Sequence, residues 1–138
     1  MAPPRLPTSR SEVERSGAPR YDRPVGEELA ARIDEYGPIA FFVTVGQSGR
    51  PHVVSVRVAW DGGAVAVTGA GPTTVANAAA RPDVSLVWSP RDNYALIVDG
   101  QASGNLLVAP TRAVLHRTPE GDPASPNCVT VLDRRPPR

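Results

Sequence analysis

The chain has 138 residues, 41% of them hydrophobic and 21% charged, and a net charge of +1, which fits one soluble domain with one core and gives no overall pull towards a polyanion. All 15 basic residues are arginines, so lysine Schiff-base chemistry is excluded. A single cysteine, Cys128, and two histidines, His52 and His116, exclude an internal disulfide framework and argue against a Cys/His metal centre, so no metal is expected.

Residues 1–24 are rich in Pro, Arg and Ser and carry too few aliphatic side chains to bury a core, so they are expected to form a flexible arm. Its five arginines (Arg5, Arg10, Arg15, Arg20, Arg23) are interrupted by Glu12, Glu14 and Asp22, and Tyr21 is its only aromatic residue. Nucleic acid binding is therefore not the expected role of the arm. The start "MAPPRLPTSR" lacks an apolar h-region and no apolar run approaches membrane-spanning length, which gives the expectation of a cytoplasmic protein with no membrane partner.

The segment "VGEELAARIDEYGP" reads as a short helix, with Glu27 and Glu28 in its first turn and Leu29, Ile33 and Tyr36 on one stripe. Gly37-Pro38 ends it. Strands follow at residues 39–45, 51–60 and 64–68, joined by Gln47-Ser48-Gly49 and by the hairpin turn Asp61-Gly62-Gly63. The stretch "GAGPTTVANAAARP" then reads as a glycine turn and a short helix, with Pro72 at its first position and Thr73 and Thr74 in its first turn. Further strands are expected at 84–88, 94–102 and 106–115, with "SPRDN" as a turn between the first two. Residues 120–138 read as an irregular tail in which 129–132 can add an edge strand or wrap a neighbour. Six strands and two short helices over residues 25–119 predict a mainly β domain, a small antiparallel barrel.

Period-two alternation sorts the second strand into two faces. His52, Val54, Val56, Val58 and Trp60 form the apolar side; Val53, Ser55, Arg57 and Ala59 form the other. On this alternation Arg57 and Thr68 are placed to look into one groove. Two readings of Arg57 stay open: an anion ligand, or a surface or subunit-contact arginine paired with a carboxylate. The turn "GAGPTT" can present backbone N–H groups and two hydroxyls to a phosphate, or serve simply as a connection. His52, His116 and Cys128 read as packing or inert residues, and no catalytic residue is identified.

The order "AFFVTVGQSGRPHVVSVRVAWDGGAVAVTGAGPTTVANAAARPDVSLVW", then "YALIVDGQAS" and "TRAVLHRTP", resembles the pyridoxamine 5′-phosphate oxidase-like split β-barrels, most closely a group of actinobacterial flavin/deazaflavin oxidoreductases. The resemblance covers about residues 39–119. It implies a six-stranded antiparallel split β-barrel and a homodimer with two cofactor grooves at its interface. It also implies FMN or coenzyme F-420 as cofactor and hydride transfer to a small organic substrate. Carried onto this chain, it implies cofactor contacts from Ser55, Val56 and Arg57, from Thr68 and Gly69, and from Pro72, Thr73, Thr74 and Asn77. Trp88 would either cover the groove or pack in the core. One departure stands out: typical members have a lysine where this chain has Thr74. The alternative implied by that loss is a non-catalytic cofactor-binding or carrier protein on the same fold.

Overall fold

The alternating apolar runs fold as two antiparallel meanders that close on each other. A computed structural model describes residues 26–135; the arm expected over 1–24 lies outside the described residues. Helix α1 spans Glu27–Tyr36 and is followed by β1 (Ile39–Val45), β2 (Pro51–Asp61) and β3 (Ala64–Thr68). Helix α2 (Pro72–Ala80) separates these from β4 (Asp83–Arg91), β5 (Tyr94–Ala102), β6 (Leu107–Arg117) and β7 (Cys128–Asp133). The sheet order is β3-β2-β1-β4-β5-β6-β7, every pair antiparallel, and a further β3–β6 pairing joins six of the strands into a ring. Val65 pairs with Val108 and Ala66 with Leu107 at this closure, while β7 occupies the same edge of β6 further along, from Arg112 to His116.

Alternation fills the inside of the ring. Phe42, Val65, Leu86, Trp88, Leu96, Val98 and Val108 are fully buried there. Leu29 and Ile33, two of the three stripe residues expected on α1, are also buried, and the Tyr36 hydroxyl donates to the Tyr94 carbonyl at 2.7 Å. Burial of this phenol, with Glu35 adding to it, raises its pKa. Trp88 ties the helix to the ring: its Nε1 donates to the carbonyl of Gly37, the residue that caps α1, at 2.9 Å.

The structure moves three sequence-predicted boundaries. The fourth strand runs on to Arg91, through most of the expected "SPRDN" turn, and the chain reverses at Asp92-Asn93, both at positive φ (51° and 66°). Asp and Asn tolerate that conformation, which matches the twist of a tight hairpin. Pro90 is accommodated because the β4–β5 register shifts between Trp88 and Arg91, so no ladder donor is needed from it. Leu106, expected in the sixth strand, sits in the preceding turn at φ 57°. In the tail, β7 pairs with β6 and Leu132 joins the core, so this part of residues 120–138 belongs to the ring's architecture.

A second register shift, between Asp99 and Gly100, leaves Thr111 as an extra residue on β6. Gly100 is needed there for close approach: a Cβ would lie 2.5 Å from the Ala109 carbonyl oxygen and 2.8 Å from Val108 Cγ1. Gly100→Ala is expected to lower stability by about 1–3 kcal/mol, since backbone must shift to admit one methyl. The shift of the urea unfolding midpoint against the unsubstituted protein checks this.

Candidate cofactor site

The strand register lays out the outer face of the sheet row by row. Ile39 lies opposite Arg57; Phe41 lies between Ser55 and Val87; Val43 lies between Val53 and Ser85. The rows continue from Val87 to Ile97 and from Ser85 through Asp99 to Arg112. Ile39, Phe41 and Val53 are 52%, 45% and 56% exposed, an apolar stripe on the solvent side of a strand-rich protein.

A polar corner adjoins this stripe. Arg57 is the cross-strand partner of Thr68, and the Thr68 hydroxyl donates to the Arg57 carbonyl at 3.5 Å. Both residues are exposed. The Arg57 guanidinium makes no hydrogen bond or ion pair among the described residues. After Thr68 the chain turns at Gly69 (φ 85°), a conformation that glycine adopts without strain, and enters α2 through Gly71 and Pro72. No side chain caps α2 and no acidic residue stands in its first turn. The first helical amides have no acceptor within the helix, and they sit at its positive end.

Burial divides the sequence-predicted site residues into two sets. Ser55, Arg57, Thr68, Gly69, Pro72 and Thr73 are exposed along the polar corner and the turn. The side chains of Val56, Thr74, Asn77 and Trp88 are not on that surface. Val56, 4% exposed, points into the core because alternation turns it away from Arg57. Trp88 takes the core position of the two that were open to it. Thr74, Asn77 and Ala78 form the inward side of α2 at helical spacing, and Asn77 Nδ2 donates to the buried Thr44 Oγ1 at 3.2 Å. Arg81 fastens the other end of the helix, its Nε donating to the Val45 carbonyl at 2.6 Å. Arg57 and Thr68 are thus brought together, whereas Arg57 makes no bond to Thr73 or Thr74.

Sequence reasoning missed a polar set further along the outer face. Ser85 Oγ donates to Asp99 Oδ1 at 2.7 Å, and Arg112 Nη1 stands 3.9 Å from Asp99 Oδ2. Alternation does place Ser85 and Asp99 outward, but their adjacency depends on the β4–β5 register, which no local signal specifies. At the end of β7, side-chain and backbone hydrogen bonds from Arg135 hold the Asp133 carboxyl at a pKa of about 2. Among the described residues, no cluster of three His, Cys, Asp or Glu side chains is arranged to hold a metal ion. No helix among them is long and apolar enough to cross a membrane.

No family model matches the chain. It is 35% identical over 126 residues to the uncharacterized protein Mb0449c of Mycobacterium bovis, covering 75% of this chain and 88% of that protein. The same values hold for the uncharacterized protein MT0457 of Mycobacterium tuberculosis. Among solved structures, it resembles a Clostridium acetobutylicum protein described as related to general stress protein 26 and as a member of the pyridoxinephosphate oxidase family. That match has a TM-score of 0.54 at 12% identity and covers 66% of this chain and 89% of the other. A structure described as an F420 reductase gives a TM-score of 0.49 at 20% identity, over 56% of this chain and 90% of that one.

Proposed function

We propose a function from one premise: the chain belongs to the family of the mycobacterial proteins Mb0449c and MT0457, and its fold is the pyridoxamine 5′-phosphate oxidase-like split barrel. On that premise it is a flavin- or deazaflavin-dependent oxidoreductase acting on a small organic substrate, with FMN or F-420 as cofactor. The observation that carries this reading is the polar corner. Arg57, with its exposed, unpaired guanidinium, is the cross-strand partner of Thr68. From Thr68 the Gly69 turn leads into a helix start with no cap and no acidic residue, and these are groups that suit a phosphate.

A bound flavin or deazaflavin supplies the hydride chemistry. The residues of this chain bind and orient it. Arg57 donates to phosphate oxygens. The hydroxyls of Thr68 and Thr73 and the amides at the start of α2 add neutral donors, and Gly69 and Pro72 shape the turn that carries them. Ser55 and the edge of the apolar stripe next to it would hold a planar ring away from water. The test is the absorbance spectrum of the purified protein, followed by titration with FMN and with F-420. A protein that is colourless and binds neither overturns the oxidoreductase reading.

A second reading, a non-catalytic cofactor-binding or carrier protein, is favoured by one specific observation: Thr74, where the resemblance expects a lysine, is 1% exposed and faces inward. Turnover separates the two. An oxidoreductase cycles its bound cofactor with a small acceptor; a carrier binds without cycling.

The apolar stripe is proposed to pack against a second copy of the chain, giving a homodimer with the grooves at its edge. An aspartate at the centre of such an interface is expected to weaken association by about 2 kcal/mol or more. Phe41→Asp should therefore sediment as a monomer at concentrations where the parent protein is dimeric. A dimer that persists would place the contact elsewhere. The cytoplasm is the proposed compartment, where the exposed, unpaired Cys128 stays a free thiol.

A further inference from the structure

We infer that Asn77 is a positioning residue of the cofactor corner. It touches no ligand. Through its bond to Thr44 it holds α2 in the rotation that presents Thr73 outward and keeps Thr74 in. The inference rests on that corner binding the cofactor phosphate. Thr44, Thr74 and Asn77 are the buried polar side chains among the described residues, 0%, 1% and 7% exposed. Thr74 and Asn77 lie on the inward side of α2, and Thr44 faces them from β1 through its bond to Asn77. The buried polar groups are thus gathered at one helix–strand contact, while the rest of the core is apolar.

A buried amide is costly unless it is bonded, and Asn77 Nδ2 donates to Thr44 Oγ1 at 3.2 Å. The best-attested use of a buried polar pair is to single out one register among several. Little else on α2 makes that choice. Its remaining inward residue, Ala78, has only a methyl group to prefer one rotation over another. Thr73 and Thr74 make no side-chain hydrogen bond among the described residues. Arg81 bonds the Val45 carbonyl from the C-cap, a full turn beyond Asn77, and so holds the end of the helix that is far from the corner. Successive helical residues stand about 100° apart, so a rotation by one step would exchange Thr73 and Thr74. A smaller rotation already turns the Thr73 hydroxyl off the corner.

The test has one readout without cofactor and one with it. In a Cys128→Ser background, Thr73→Cys is expected to react readily with a maleimide and Thr74→Cys to be protected; adding Asn77→Leu should abolish that protection. The second readout is the affinity for FMN over riboflavin, and for F-420 over its phosphate-free chromophore. Asn77→Leu should lower this phosphate preference roughly two- to tenfold, the size of one neutral hydrogen bond, and leave the affinity for the phosphate-free forms unchanged. A general loss of structure would lower both affinities alike. Thr44→Ser keeps the acceptor and should behave as the parent; Thr44→Val should behave as Asn77→Leu. If the single variants do not fold, Asn77→Leu combined with Thr44→Val leaves neither partner orphaned and should show the same two losses. The inference is overturned, with the phosphate reading left standing, if either readout is unchanged in Asn77→Leu or if Thr44→Ser behaves as Thr44→Val. A parent protein without phosphate preference removes the phosphate reading, and the corner role of Asn77 with it.

Discussion

Arg57→Ala is expected to weaken cofactor binding roughly ten- to a hundredfold, because one charge-assisted contact to a phosphate contributes about 1.5–3 kcal/mol. The size of the effect follows from how few charges the corner has. Thr68 and Thr73 offer only neutral hydroxyls, and Thr74 has turned inward with Asn77 towards Thr44. The helix start adds its amides and a partial positive charge, a smaller term at an exposed site. Arg57 itself is exposed and unpaired, so its removal leaves no orphaned carboxylate and should hardly change stability. Equilibrium titration of FMN and F-420 with the parent and the variant, alongside their unfolding midpoints, reads both quantities. Loss of affinity at unchanged stability supports the phosphate role. Loss of dimerisation in the variant, with affinity unchanged, would instead assign Arg57 to a subunit contact.

Trp88→Ala should have the largest effect on stability, about 3–5 kcal/mol. The indole has no exposed surface and packs with the core cluster that includes Phe42, Leu86 and Leu96. Truncation opens a cavity in a ring whose strands cannot collapse independently, and it removes the donor to the Gly37 carbonyl that pins α1. Trp88→Phe separates the two contributions. It keeps most of the buried ring and loses the hydrogen bond, at a cost of about 1–3 kcal/mol if the carbonyl stays dry. Denaturant unfolding of both variants gives the numbers. Because Trp88 lies inside the ring, Trp88→Phe should bind cofactor as tightly as the parent. Weaker binding with unchanged stability would return Trp88 to the groove.

Much of the architecture is legible in the sequence because it rests on local patterns. The Leu29, Ile33, Tyr36 stripe, the Asp61-Gly62-Gly63 hairpin and the alternation along β2 each depend on a few neighbouring residues. What escaped depends on long-range pairing. "SPRDN" has the composition of a turn, yet Pro90 lies in a strand because a register shift releases it from the ladder. Strand β7 needs β6 as its template, and the loop between them is clamped by Arg117, whose Nη1 donates to the carbonyls of Ser125 at 2.6 Å and Asp122 at 3.0 Å.

The candidate site divides along the same line. Strand alternation correctly set Arg57 and Ser55 apart from the core-facing Val56 and Val58. The resemblance nevertheless carried Val56 over as a contact, and the structure turns its side chain inward. The rotation of α2 was not legible, since its nine residues are mostly alanine and threonine and show no strong stripe. The bond from Asn77 to Thr44, on a strand far away in sequence, fixes which threonine faces out.

The central claim is that the corner made by Arg57, Thr68 and the start of α2 recognises the phosphate of a tricyclic cofactor. The measurement that bears on it most directly is the affinity of the protein for FMN against riboflavin, and for F-420 against its phosphate-free deazaflavin chromophore. At least one phosphorylated form is expected to bind with a Kd below about 50 µM, and at least about tenfold tighter than its phosphate-free counterpart. Equal affinity for both members of each pair, or binding of none of the four, would contradict it.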